Sequence, residues 1–103
     1  MWTDYKDFLD FEMPEEMTQQ DIIHAKTEFV CSAENALFAG FDGVELHSAN
    51  GYLLEEFLST ISNIRDENYG GSIENRCRFA LAVTKAVTQA IGKEKTAIRL
   101  SPY

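Results

Sequence analysis

The stretch FDGVELHSANGYL, residues 41–53, decides how the chain is read. Gly43 to His47 predicts a short strand, entered through a turn at Gly40. The strand ends in a histidine, and Asn50, Gly51 and Tyr52 follow within five residues. Imidazole, carboxamide and phenol together supply hydrogen-bond donors, an acceptor and a weak acid. Grouped where a strand exits, they form a polar end to an otherwise apolar pocket.

Upstream, the spacing of Ile22, Phe29, Val30, Ala33 and Leu37 predicts a helix over Thr18 to Phe38 with one apolar face. Thr18 and Asp21 have the three-residue separation of a capping box, and Gly40 suits a left-handed turn at the other end. His24 projects off the stripe and reads as a solvated histidine rather than a ligand. Before this helix, Met1 to Met17 shows neither helical nor strand period and reads as an irregular arm. Its acidic residues read as a solvated face.

Downstream, Ser48 to Gly71 is a long connection. Tyr52 to Leu58 fits two helical turns, and Ser59 to Gly71 is turn-rich and closes on a double glycine. Loops of this length inside compact domains usually carry function. Ser72 then caps a second helix, Ile73 to Ile91, with Glu74 favourably placed in its first turn. Cys77, Ala80, Thr84, Val87 and Ile91 define its apolar face, widened by Phe79, Val83 and Ala90, and Gly92 ends it. A second strand runs from Thr96 to Leu100. Two strands joined through a helix predict a parallel, right-handed βαβ unit.

Strand parity divides the side chains. Val44 and Leu46 share one face of the first strand, and Ile98 and Leu100 one face of the second. Covering helices belong on those apolar faces. Glu45, His47 and Arg99 then fall together on the other face, near the carboxyl ends of neighbouring parallel strands. Ligands bind at those ends in open α/β sheets and in α/β barrels. His47 and Arg99, at strand ends, read as functional, whereas Glu45 reads as the buried, architectural partner of Arg99.

Composition sets the bounds. One hundred and three residues suffice for one modest domain, with 45% hydrophobic and 25% charged residues as in ordinary globular chains. Seventeen acidic against nine basic residues give a net charge of −8, which argues against nucleic acid or an anionic membrane as partner. No apolar run approaches the ~20 residues of a membrane span. Cys31 and Cys77 lack metal-ligand spacing and read as buried free thiols of a reducing cytoplasm; no metal site is expected. The chain has no GxSxG elbow, P-loop, GxGxxG or HExxH, and neither strand ends in a Schiff-base lysine.

Taken together, AGFDGVELHSANGYLLEEFLS, NIRDENYGGSIENRCRFAL and IRLSPY resemble the Old Yellow Enzyme family of FMN-dependent NAD(P)H oxidoreductases. HxxNGYL followed by YGGSxENR and RLSP is a specific combination, and in the family's order it covers most of Thr18 to Tyr103; Met1 to Met17 departs from it. The resemblance implies a fragment of a TIM (β/α)8 barrel, with about two parallel strands and two covering helices. It further implies FMN as cofactor, NAD(P)H as reductant and a small enone or enal as substrate. His47 and Asn50 would hydrogen-bond the substrate carbonyl oxygen, with His47 also touching the flavin. Tyr52 would protonate the α-carbon, and Arg99 would lie at the N1/O2 side of the flavin. The chemistry is coherent, because hydride addition builds enolate charge where two donors await it. A phenol can act as general acid at neutral pH, and a guanidinium stays charged throughout.

The resemblance places only the helix before the fourth strand, that strand, its helix and the fifth strand within this chain. Two strands leave both sheet edges unpaired, so a closed active site from one copy is not expected. The alternative reading is a non-catalytic barrel remnant, a βαβ module that self-associates or pairs with a complementary barrel segment.

Overall fold

A computed structural model describes residues 16–50 and 52–101. The expected arm, 1–17, therefore lies almost wholly outside the described residues. Helix α1 (Gln19–Phe38) leads to strand β1 (Val44–Ser48), the short helix α2 (Leu53–Leu58), helix α3 (Ile73–Ile91), a 3-10 turn at Lys93–Lys95 and strand β2 (Thr96–Leu100). The strands pair in parallel, as one βαβ unit, with the helices layered on one face.

Both ends of α1 follow from local chemistry. The Asp21 N–H donates to Thr18 Oγ1 at 3.0 Å, and the Thr18 N–H donates to Asp21 Oδ2 at 2.9 Å, completing the capping box. Donation from Thr18, first from its backbone N–H and then from its side chain, favours the charged form and holds the Asp21 carboxyl below its ordinary pKa. At the other end Gly40 takes φ 107. Its N–H donates to Leu37 O and the Phe41 N–H to Ala36 O, the paired closure of a Schellman motif. Ser72 caps α3 by accepting from the Asn75 N–H at 3.1 Å.

The core gathers Ile22, Ala25 and Ala33 of α1, Leu46 of β1, Leu54 and Phe57 of α2, and Phe79, Val83 and Val87 of α3. Phe57 and Phe79 meet at 4.6 Å between ring centroids. The buried stripe of α3 differs from the expected one. It centres on Phe79, Val83 and Val87, while Cys77, Thr84 and Ile91 are half-buried and Ala90 is exposed. The reason is that α3 packs against α1 and α2 as well as β2, and these neighbours turn its buried face toward Phe79. Cys31 is likewise exposed and Cys77 only partly buried, although both thiols are free. No described helix is long and apolar enough to cross a membrane.

The connection from Ser59 to Gly71 is held by side chains in structural use rather than left open. Asn63 is buried, and its amide donates to Phe57 O and Tyr69 O while its oxygen accepts from the Arg65 N–H. Arg65 pairs with Glu67, reaches Met17 O at 2.9 Å and lies over the Phe57 ring. Arg76 ties the loop to the end of α2 through Leu58 O at 2.7 Å. At Gly70 even a Cβ would fall 2.3 Å from the Arg65 carbonyl oxygen, so close packing requires this glycine, whereas Gly71 is required by its left-handed φ of 89.

Candidate active site

The register sets Glu45 opposite Ala97 and His47 opposite Arg99. Leu46 and Ser48 are buried beneath the helices, so Glu45 and His47 stand on the open face, and Arg99 shares it. The parity of β1 is thus as expected. On β2 the expected covered face is not found: Ile98 and Leu100 remain exposed, although α3 packs against this strand. The Glu45–Arg99 pair exists, with the Arg99 Nε–H donating to Glu45 Oε1 at 2.8 Å. It is not buried, however: the side chains are 49% and 60% exposed, since no described element lies over this face. The Glu45 carboxylate holds the Arg99 pKa above its ordinary value. The other guanidinium donors make no hydrogen bond to described residues.

Beyond β1 the chain turns sharply. Ala49 is buried, and Asn50 adopts φ 57, the left-handed region that asparagine tolerates better than most residues. Tyr52 opens α2 from an extended backbone, with φ −85 and ψ −175. Its ring is exposed and lies 5.0 Å from the His47 ring, inclined by 52°. His47 and Arg99 thereby meet across the strand pair, Tyr52 stands against His47, and Asn50 occupies the turn between them.

Two further residues escaped the reading of the sequence. The Asn50 N–H donates to Ser101 Oγ at 2.9 Å, and the Ser101 hydroxyl donates to Glu55 Oε1 at 2.9 Å. The available signal was positional: Ser101 immediately follows β2, and Glu55 lies in the first turn of α2. A cleft of about 360 Å³ opens beside this relay, lined by Asn50, Glu55, Ser59, Ile61 and Ser101 among others. His47, Tyr52 and Arg99 do not line it. Behind the sheet, the buried Ser48 hydroxyl has no hydrogen-bond partner among the described residues.

Comparison with known proteins agrees with this architecture. The sequence profile of the NADH:flavin oxidoreductase / NADH oxidase family matches residues 5–103. The match includes most of the arm that the sequence motifs set apart. The chain is 51% identical over 92 residues to the Leishmania infantum protein named "Probable flavin mononucleotide-dependent alkene reductase", covering 89% of this chain and 25% of that protein. It is 54% identical over 87 residues to enoate reductase 1 of Kluyveromyces lactis, covering 84% and 22%. The crystal structure of Old Yellow Enzyme from Pichia sp. AKU4542 superposes with a TM-score of 0.85 at 50% identity, covering 86% of this chain and 23% of that one. The chain spans about a quarter of the length of the curated relatives it matches. Its βαβ unit is accordingly a segment of a TIM-barrel architecture. The profile match across nearly all its residues and the shared fold show that the chain belongs to the NADH:flavin oxidoreductase / NADH oxidase family.

Proposed function

We propose that this chain carries the carbonyl-binding and proton-donating part of an Old Yellow Enzyme-like FMN-dependent NAD(P)H oxidoreductase. Its substrates are α,β-unsaturated carbonyl compounds, whose activated C=C bond is reduced. The observation that carries this reading is the pairing of His47 with Arg99 across the strands, with the Tyr52 ring 5.0 Å from His47. A permanent cation beside an imidazole on an open sheet face fits the acceptor-rich edge of a flavin, and Arg99 and His47 would hold it there. The chemistry supplied by FMN, if bound there, would be hydride transfer from NAD(P)H to the substrate β-carbon.

The chain's own residues then divide the remaining work. His47 and Asn50 bind the carbonyl oxygen and stabilise the negative charge that develops on it. Tyr52 donates its phenolic proton to the α-carbon. Glu45 orients the Arg99 guanidinium through its bond to Nε. A soluble, reducing compartment such as the cytoplasm suits two free thiols.

The test is a pair of half-reactions followed by stopped flow in the flavin-loaded protein obtained by supplying the complementing barrel segment. Tyr52→Phe should slow substrate reduction by about 10²–10⁴-fold and leave flavin reduction by the nicotinamide unchanged. Equal losses in both half-reactions would contradict the assigned role. A complemented barrel that releases no flavin on denaturation would sink the cofactor reading.

The exposed β2 edge favours a second reading for the 103-residue polypeptide by itself. Ile98 and Leu100 are 38% and 59% exposed, and each strand has one partner among the described residues. Such a unit self-associates or accepts a complementing barrel segment.

A further inference from the structure

Ser101 and Glu55 have no part in the chemistry above, yet they are bonded to the turn that presents Asn50. A left-handed backbone at a residue other than glycine persists where its surroundings over-determine it. Here the determinant is visible. The Asn50 N–H is held by Ser101 Oγ across 51 residues of sequence, and that hydroxyl donates onward to Glu55 across 46. A hydroxyl carries a single proton. Once that proton is committed to the Glu55 carboxylate, only lone pairs face Asn50, so the direction of the relay is set. A charged acceptor strengthens the O–H bond and polarises the oxygen toward the N–H it accepts. The three groups come from the turn after β1, the residue after β2 and the first turn of α2. The relay therefore joins the two strand exits to the helix that Tyr52 opens.

We infer that Ser101 and Glu55 are positioning residues, which lock the Asn50 turn and thereby hold the Asn50 carboxamide where it receives a substrate carbonyl. The inference takes the purpose of Asn50 from the proposed function, whereas the relay itself stands on its own geometry.

Residue-resolved amide exchange by NMR on the 103-residue chain tests the relay in Ser101→Ala, Ser101→Thr and Glu55→Gln. Loss of one hydrogen bond should accelerate exchange at the Asn50 amide by roughly tenfold in Ser101→Ala, with the amides of α1 and α3 unaffected. Ser101→Thr, which keeps the hydroxyl, should restore both Asn50 protection and the wild-type resonances of its carboxamide. Glu55→Gln, with a neutral acceptor, should fall between; it also provides the comparison if Ser101→Ala does not fold. Unchanged Asn50 exchange, or an equal loss of protection throughout α1 and α3, overturns the inference. In the flavin-loaded protein completed by a complementing barrel segment, Ser101→Ala should raise KM for an unsaturated ketone about tenfold while nicotinamide reduces the flavin at the wild-type rate. Turnover with unaltered KM overturns the positioning role. Absence of enone turnover in the wild type would instead defeat the functional reading, and the exchange series would still decide the relay.

Discussion

Replacing Asn63 with alanine removes the side chain on which the long connection is built. Its amide donates to Phe57 O at 2.6 Å and to Tyr69 O at 2.8 Å, and its oxygen accepts from the Arg65 N–H at 3.0 Å. All three partners are backbone groups, and Asn63 itself is 9% exposed. At about 1 kcal/mol net for each hydrogen bond, Asn63→Ala should cost about 3 kcal/mol. With a urea m-value of about 1–2 kcal/mol/M, the unfolding midpoint should fall by about 2 M. Far-UV circular dichroism across a urea series measures it, with coincidence of a second probe to check two-state behaviour. Asn63→Asp should be worse than alanine at neutral pH. The carboxylate keeps a partner for the Arg65 N–H but turns lone pairs toward two carbonyl oxygens. A midpoint shift below about 0.5 M, or an aspartate variant more stable than the alanine one, would refute the argument that Asn63 organises the loop by donation.

Three further outcomes are expected. Hydrogen bonding from Arg65 holds the Glu67 carboxyl below its ordinary value of 4.5. Its contribution is therefore present above pH 4.5 and is lost as pH falls through the depressed folded value. Urea midpoints measured across this acid range should fall less for Glu67→Gln than for the wild type, and parallel curves would contradict the linkage. Ser48→Ala removes a buried hydroxyl that has no partner among the described residues, so it should be neutral or stabilise by about 1 kcal/mol; a comparable loss in thermal or urea unfolding would reveal a bond to that oxygen. The 103-residue chain alone should associate at micromolar concentration, with a light-scattering mass above 11.7 kDa, and should bind FMN weakly because its net charge of −8 repels an anionic cofactor. A monodisperse monomer binding FMN one-to-one would contradict both expectations.

The elements legible in the sequence are those whose determinants lie within a few residues of one another. Thr18 and Asp21 cap α1 across three residues, Gly40 closes it, and Ser72 opens α3. Alternation along β1 and β2 was enough to put His47 and Arg99 on one face, because side-chain direction in a strand follows from backbone geometry alone. The HxxNGYL spacing likewise located Asn50 and Tyr52 at the strand exit, since so short a segment cannot carry them far apart.

Tertiary placement decided the rest. Periodicity marks an apolar stripe on α3, but packing against α1, α2 and β2 together selected Phe79, Val83 and Val87 as its centre. The Glu45–Arg99 pair was foreseeable from parity, whereas its exposure depends on what lies over the sheet. The Asn50–Ser101–Glu55 relay was not readable, because its bonds span 51 and 46 residues and exist only once two strand exits and a helix converge. Local hydrogen bonding and side-chain alternation are properties of a segment. Burial and long-range bonding are properties of how segments meet, and in this protein that meeting ties down the turn that carries Asn50, one of the proposed site residues that the chain spells out in order.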